Sequence, residues 1–179
     1  KMMKSTALTL LVAIAQAKNT TNMTATPSNG VCDVISGDLP SECQCTEGDS
    51  GQFAVACTVD FLDVDTIDFT ANFQPCAAEA EVDFEIVEED AGIDYTKSYT
   101  AGEAAEYPIP GLTVGIPVIG DANVMIAADV EGNAGALAVK VGLDACITVL
   151  GYQKCGSDLT SDLPYYVLSD SYDFSDYCQ

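Results

Sequence analysis

From Phe53 to Ile86 the chain alternates apolar and polar residues in three successive runs, and this period of two limits the fold more than any other feature. In FAVACTVDFL, residues Phe53, Val55, Cys57, Val59 and Phe61 share one face while Thr58 and Asp60 share the other. TIDFTANF sets Ile67, Phe69, Ala71 and Phe73 against Thr66, Asp68, Thr70 and Asn72, and EVDFEI sets Val82, Phe84 and Ile86 against Glu81, Asp83 and Glu85. Successive side chains of a strand point to opposite faces, so these runs are antiparallel strands buried on one side and wet on the other. IDYTKSY, Ile93 to Tyr99, is a weaker fourth candidate.

From Tyr107 to Gly151 the pattern changes, because Gly, Ala and Pro occupy the face that Asp and Glu held before. Strands are expected at about 111–119, 122–131 and 136–150, with turns near Gly120-Asp121 and Gly132-Asn133. Pro108, Pro110 and Pro117 place the first of these at a sheet edge or on a bulge. Helical period is lacking apart from short stretches near Cys76 to Glu81 and after Ser161. The expected fold is all-β, a disulfide-stapled antiparallel β-sandwich or flattened barrel of about 7–9 strands.

The first residues, KMMKSTALTLLVAIAQAKN, run from Lys1 and Lys4 through an apolar stretch, Ala7 to Ala15, to the small-x-small triplet Ala15-Gln16-Ala17. That order is expected of a secretory signal peptide over residues 1–17, too short to span a bilayer. A Thr- and Asn-rich arm, 18–30, follows, with glycosylation acceptors at Asn19 and Asn22. One β domain is expected over 31–179, opened by a loop-rich Cys cap, Val31 to Gly51.

Eight cysteines, an even number in a chain expected to be secreted, imply four disulfides. Eight permit about 105 pairings, but geometry favours some. In VKVGLDACITV the buried row is Val139, Val141, Leu143, Ala145, Ile147 and Val149, which turns Cys146 outward with Lys140, Asp144 and Thr148. A tight turn at Leu150-Gly151 then brings Cys146 opposite Cys155. Cys43 and Cys45 point the same way on an extended strand, so each needs a different partner. The expected set is completed by Cys45 with Cys57 and Cys76 with Cys178, leaving Cys32 and Cys43.

Charge excludes whole function classes. The chain carries 28 Asp and Glu against 6 Lys, with no Arg and no His, for a net charge of −22. Without the first 17 residues this becomes 4 − 28 = −24. Nucleic acid and anionic lipid demand basic surfaces, so neither is a partner. Without imidazole there is no His-activated nucleophile. Cys43-x-Cys45 has no zinc spacing, and GDANVMIAADVEGNAG has no phosphate-loop lysine.

Calcium is the natural use of so much acid outside a cell. Asp63, Asp65 and Asp68 gather in DVDTID, Glu88, Glu89, Asp90 and Asp94 in EEDAGID, and Asp170, Asp173 and Asp176 in SDSYDFSDYC, though none follows the EF-hand order. The leading expectation is a secreted, non-enzymatic structural or adhesive module that meets extracellular proteins, copies of itself or a cationic matrix. A carrier holding a lipid or other apolar small molecule between its sheets is the second, and a carboxylate-based hydrolase the third.

Overall fold

The computed structural model describes residues 30–62, 65–89, 92–116 and 120–178. The expected signal segment, the arm with Asn19 and Asn22, and Asp63, Asp90 and Pro117 lie outside the described residues. The protein is nearly all β, with two five-stranded antiparallel sheets in a sandwich-like arrangement. Ten strands are described, one more than the upper end of the expected range.

The first sheet is a plain meander of β1 (Cys43–Glu47), β2 (Phe53–Phe61), β3 (Asp65–Gln74), β4 (Glu81–Glu88) and β5 (Ile93–Thr100). The second contains β6 (Ala104–Ile116), β7 (Gly120–Asn133), β8 (Ala136–Val149), β9 (Tyr152–Cys155) and β10 (Tyr165–Tyr172), in the order β10-β8-β7-β6. One edge of β8 is shared end to end: β10 pairs with its first half, up to Leu143, and β9 with its last four residues, from Cys146. Asp144 and Ala145 lie at the seam.

Inward rows of both sheets merge into one buried cluster. The first sheet contributes aromatics: Phe53 stacks on Phe73 at 4.7 Å between centroids, Phe69 on Phe84 at 5.6 Å, and Tyr99 meets Phe84 edge-on at 5.2 Å. The second contributes smaller residues, among them Val124, Ile126, Val139 and Val141. Large rings against small branched side chains let the layers interdigitate. Phe174, beyond β10, reaches back to Phe53 at 5.3 Å, and Tyr165 donates its hydroxyl to Glu42 ahead of β1. Burial and the Glu42 carboxylate push the Tyr165 hydroxyl above the usual phenol range, while the same bond holds Glu42 below the usual carboxylate range.

The edge strands are blunted. Lys97 sits on the inward-facing row of β5, its ammonium 4.5 Å from the centre of the Tyr107 ring, and a lysine facing inward disfavours strand addition. Pro108 and Pro110 lie on β6, an edge strand whose register shifts between Pro108 and Thr113, so the prolines mark both an edge and a bulge.

Several sequence expectations need correction. The segment Val31 to Gly51 is not only loop: α1 (Val31–Ile35) buries Val31 and Ile35 one turn apart, and β1 pairs with β2. The residues after Cys76 form bends rather than helix, and the stretch after Ser161 holds β10, followed by a short 3-10 turn at Ser175–Tyr177. Cys45 does not meet Cys57. In the β1–β2 register Cys43 stands opposite Cys57 and Cys45 opposite Val55, so the bridges are Cys43–Cys57, with Cα atoms 4.1 Å apart, and Cys32–Cys45 from α1, at 5.7 Å. Cys76–Cys178 and Cys146–Cys155 are present, the latter across the β8–β9 hairpin at 4.0 Å. Val149 does not belong to the buried row, being half exposed beside the turn of that hairpin.

Candidate functional site

The outward row of β8 departs furthest from expectation. Asp144 is fully buried and Cys146 nearly so, although both face away from the core. The chain after β9 accounts for this, because the 3-10 turn Gly156–Asp158 folds back over the seam beside β8 and the Ser157 N–H donates to Asp144 Oδ1 at 3.3 Å. Asp144 Oδ1 also accepts the Ala145 N–H at 2.7 Å, while Oδ2 has no hydrogen-bond partner.

Beside this buried acid the outer face of the second sheet dips. The register aligns Glu106 of β6, Ala127 of β7, Gly142 of β8 and Tyr166 of β10 in one row, so two small residues separate two large ones. Gly142 is required there, because a methyl group would run into the carbonyl oxygen of Tyr165 on the neighbouring β10. Asp129 and Lys140 form an opposed pair in the next row. Glu106, Ala127, Asp129, Lys140, Pro164 and Tyr166 border an open groove of about 330 Å³. Asp129 Oδ1 is buried without a partner, and no ion pair forms between Asp129 and Lys140. The one ion pair among the described residues is Lys154 to Asp158, at 3.8 Å.

The electrostatics are consistent with crowded acid. Burial, then Asp144 and Asp158, hold the Glu106 carboxyl above the usual carboxylate range. Burial, then Asp144, Asp129 and Glu106, push up the Tyr166 hydroxyl. Lys140 and Lys154 are the nearby cations, and Gln153 Nε2 donates to Glu106 Oε2 at 3.2 Å. A carboxyl whose folded pKa is raised adds full stability below its unfolded pKa and loses it as the pH climbs through the folded one. Glu106→Gln is therefore expected to raise the melting temperature at pH 7 by roughly 1–2 °C, after discounting for the exposure of Glu106, and to have no effect below about pH 4. Thermal melts at both pH values check this, and a lower melting temperature at pH 7 would contradict it.

Glu106, Cys146 and Cys155 form the one group of three metal-type ligands within 4.8 Å among the described residues. Both sulfurs belong to a disulfide and cannot serve as thiolate ligands. Asp63 is outside the described residues, Asp65 is placed only by its pairing with Phe61, and exposed Asp68 accepts the Thr58 hydroxyl at 2.8 Å. Asp173 is taken up locally, accepting the Ser175 N–H at 2.9 Å and hydroxyl at 2.6 Å.

The first sheet presents the acid differently. Across its outer face the register gives Asp60 opposite Thr66, Asp68 opposite Thr58, Asp83 between Asn72 and Ser98, and Glu85 between Thr70 and Thr96. No described carboxylate of this face stands directly opposite another. Opposed like charges destabilise a sheet, and this interleaving with hydroxyls and amides lets a flat acidic surface form without that cost.

Glu106, Asp129 and Tyr166 were not singled out from the sequence. The available signal was the pair of small residues, Ala127 and Gly142, on rows that would otherwise be polar. Among the described residues no helix is long and apolar enough to cross a membrane. Comparison with family models, with curated proteins and with solved structures finds no match, so the site is argued from its own residues alone.

Proposed function

We propose that this protein is a non-enzymatic extracellular module of structural or adhesive kind that binds cationic partners through its acidic outer faces. The observation that carries this reading is the first sheet's outer surface, where carboxylates are spaced by Thr, Ser, Asn and Gln and carry no lysine. A net charge of −22 reinforces it. Four disulfides are consistent with an extracellular setting and hold the faces rigid. Blunted edges at β5 and β6 favour a foreign cationic partner over strand-by-strand self-assembly.

Adsorption of the protein to a polylysine-coated sensor tests this reading. Binding is expected to be tight at 20 mM salt and to fall steeply by 300 mM, where the screening length drops well below 10 Å. No adsorption at low salt, or adsorption indifferent to salt, would overturn it. A glycoside or ester hydrolysis abolished by Glu106→Gln would instead establish the acid-base enzyme reading, since Glu106 beside Asp144 is where such chemistry would reside.

A further inference from the structure

We propose that the tip of the β8–β9 hairpin, formed by Val149, Leu150 and Tyr152, is an anchor that enters the interfacial layer of a zwitterionic lipid bilayer. The acidic outer faces take no part in this contact, so it stands apart from the binding of cationic partners.

Two independent observations single out the tip. The first is exposure. Leu150 is 94% exposed and Tyr152 75%, the highest values among the large apolar side chains of the described residues. Val149 stands opposite Tyr152 and is half exposed, so the three make one apolar patch at the end of the hairpin. Such a patch marks a contact surface where a single exposed leucine would not. The second observation is the backbone. Leu150 has φ 52° and Gly151 φ 83°, the two left-handed positions that a tight two-residue hairpin turn requires. Asn, Asp or Gly fills the first of these at little steric cost, whereas leucine is strained there. A turn that only faces water gains nothing from a strained leucine. The Cys146–Cys155 bridge ties the strands three pairs below Val149 and Tyr152, so the tip is held out rigidly.

Charge and length select the occupant. No residue from Ala145 to Gln153 is charged, in a chain of net charge −22. Continued two residues past Asn123 and Cys146, the β7–β8 register sets exposed Asp121 level with Thr148, and Lys154, which pairs with Asp158, stands opposite Ile147. Beyond these charges the hairpin extends two to three residues, roughly 7–10 Å at the rise of a strand. Interfacial segments enter a bilayer to a depth of about 5–10 Å. The first charges below the tip are of both signs and so match the ammonium and phosphate of a zwitterionic headgroup, while tyrosine is enriched where one end of a side chain is apolar and the other wet. Glu106 and Asp129, level with Gly142 and Lys140, stay roughly 25 Å or more behind the turn. An anionic bilayer is disfavoured by the net charge.

The test is titration of the oxidised full chain carrying Tyr152→Trp with phosphatidylcholine vesicles, followed by tryptophan emission. The chain has no other tryptophan, so the signal reports the tip and not the apolar stretch Ala7 to Ala15. A blue shift that saturates with lipid and persists at 300 mM salt is expected, because apolar contact is not screened. Replacing part of the phosphatidylcholine by phosphatidylserine should weaken it. Leu150→Asn in the same background should weaken partitioning by about tenfold, the loss of one buried leucine. Asparagine is accepted in the left-handed region, so the melting temperature of that variant should be unchanged or raised, which a structural role for Leu150 would not allow. Leu159→Asn, an exposed leucine beside the Gly156–Asp158 turn and roughly 20 Å below the tip, should leave partitioning unaltered. Emission indifferent to lipid, equal partitioning of Leu150→Asn, or a blue shift that appears without lipid as light scattering reports dimers would overturn the proposal, the last by showing that two copies meet through their tips. Salt-sensitive polylysine adsorption is read separately, so either result can fail while the other stands.

Discussion

Replacing Cys76 and Cys178 together by serine is expected to lower the unfolding free energy by about 4–5 kcal/mol, the largest loss among the four cross-links. The two cysteines are 102 residues apart, whereas the other bridges span 9, 13 and 14. In the loop-entropy picture, closing the long loop contributes about 4.7 kcal/mol and each short one about 2.6–3. The bridge also has a mechanical role. Cys76 lies in the turn between β3 and β4 of the first sheet, and Cys178 follows β10 of the second, so this disulfide holds one sheet to the other. Gly51 is packed against the bridge, since a side chain there would come within 2.7 Å of Cys76 Sγ. Domains are typically stable by about 5–15 kcal/mol, so the double variant should sit near the edge of folding. Urea unfolding of this variant beside Cys146→Ser/Cys155→Ser checks the ranking. Equal losses would contradict it.

Phe84→Ala is expected to cost about 3–5 kcal/mol. Phe84 is 1% exposed, in the middle strands of the first sheet, and its ring lies 5.6 Å from Phe69 and 5.2 Å from Tyr99. The variant loses apolar transfer energy, two ring contacts and the packing of the second sheet's side chains above it. Phe84→Leu keeps most of the volume and should cost under about 1.5 kcal/mol. Urea unfolding at neutral pH measures both. A loss below about 1 kcal/mol for the alanine variant would mean that a gap already separated the sheets at this point. That is the geometry an apolar carrier needs.

The alternating strands were legible because they are half buried and long enough for the period to show. In β2 every second residue from Phe53 to Phe61 is in the core, as the sequence implied. The same logic placed Cys146 opposite Cys155. It failed where coverage comes from distant chain. Asp144 has the outward position that alternation assigns, yet the turn at Gly156–Asp158, beyond the next strand, buries it. Strand β10 escaped because its bulge between Tyr166 and Leu168 puts Val167 and Leu168 both inside and breaks the alternation. The cap was misread because α1 and β1 have five residues each, too few for either period to register. With β1 unseen, the register that matches Cys43 to Cys57 was unavailable. The groove was hidden for the same reason as Asp144: its row draws Glu106, Ala127, Gly142 and Tyr166 from four strands, and no local pattern joins them.

Spacing of the carboxylates across the first sheet lets a surface rich in acid form without opposed like charges, and the proposed function makes this surface the contact face for cationic partners. Neutralising Asp60, Asp68, Asp83 and Glu85 to their amides removes that charge while keeping the hydrogen-bonding capacity of each side chain. The decisive measurement is adsorption of this fourfold variant to polylysine as a function of salt, with its melting temperature recorded alongside. Adsorption is predicted to weaken and to depend much less steeply on salt than in the wild type, with the melting temperature unchanged or raised. An unaltered salt dependence in a folded variant would contradict the assignment of this face as the contact surface.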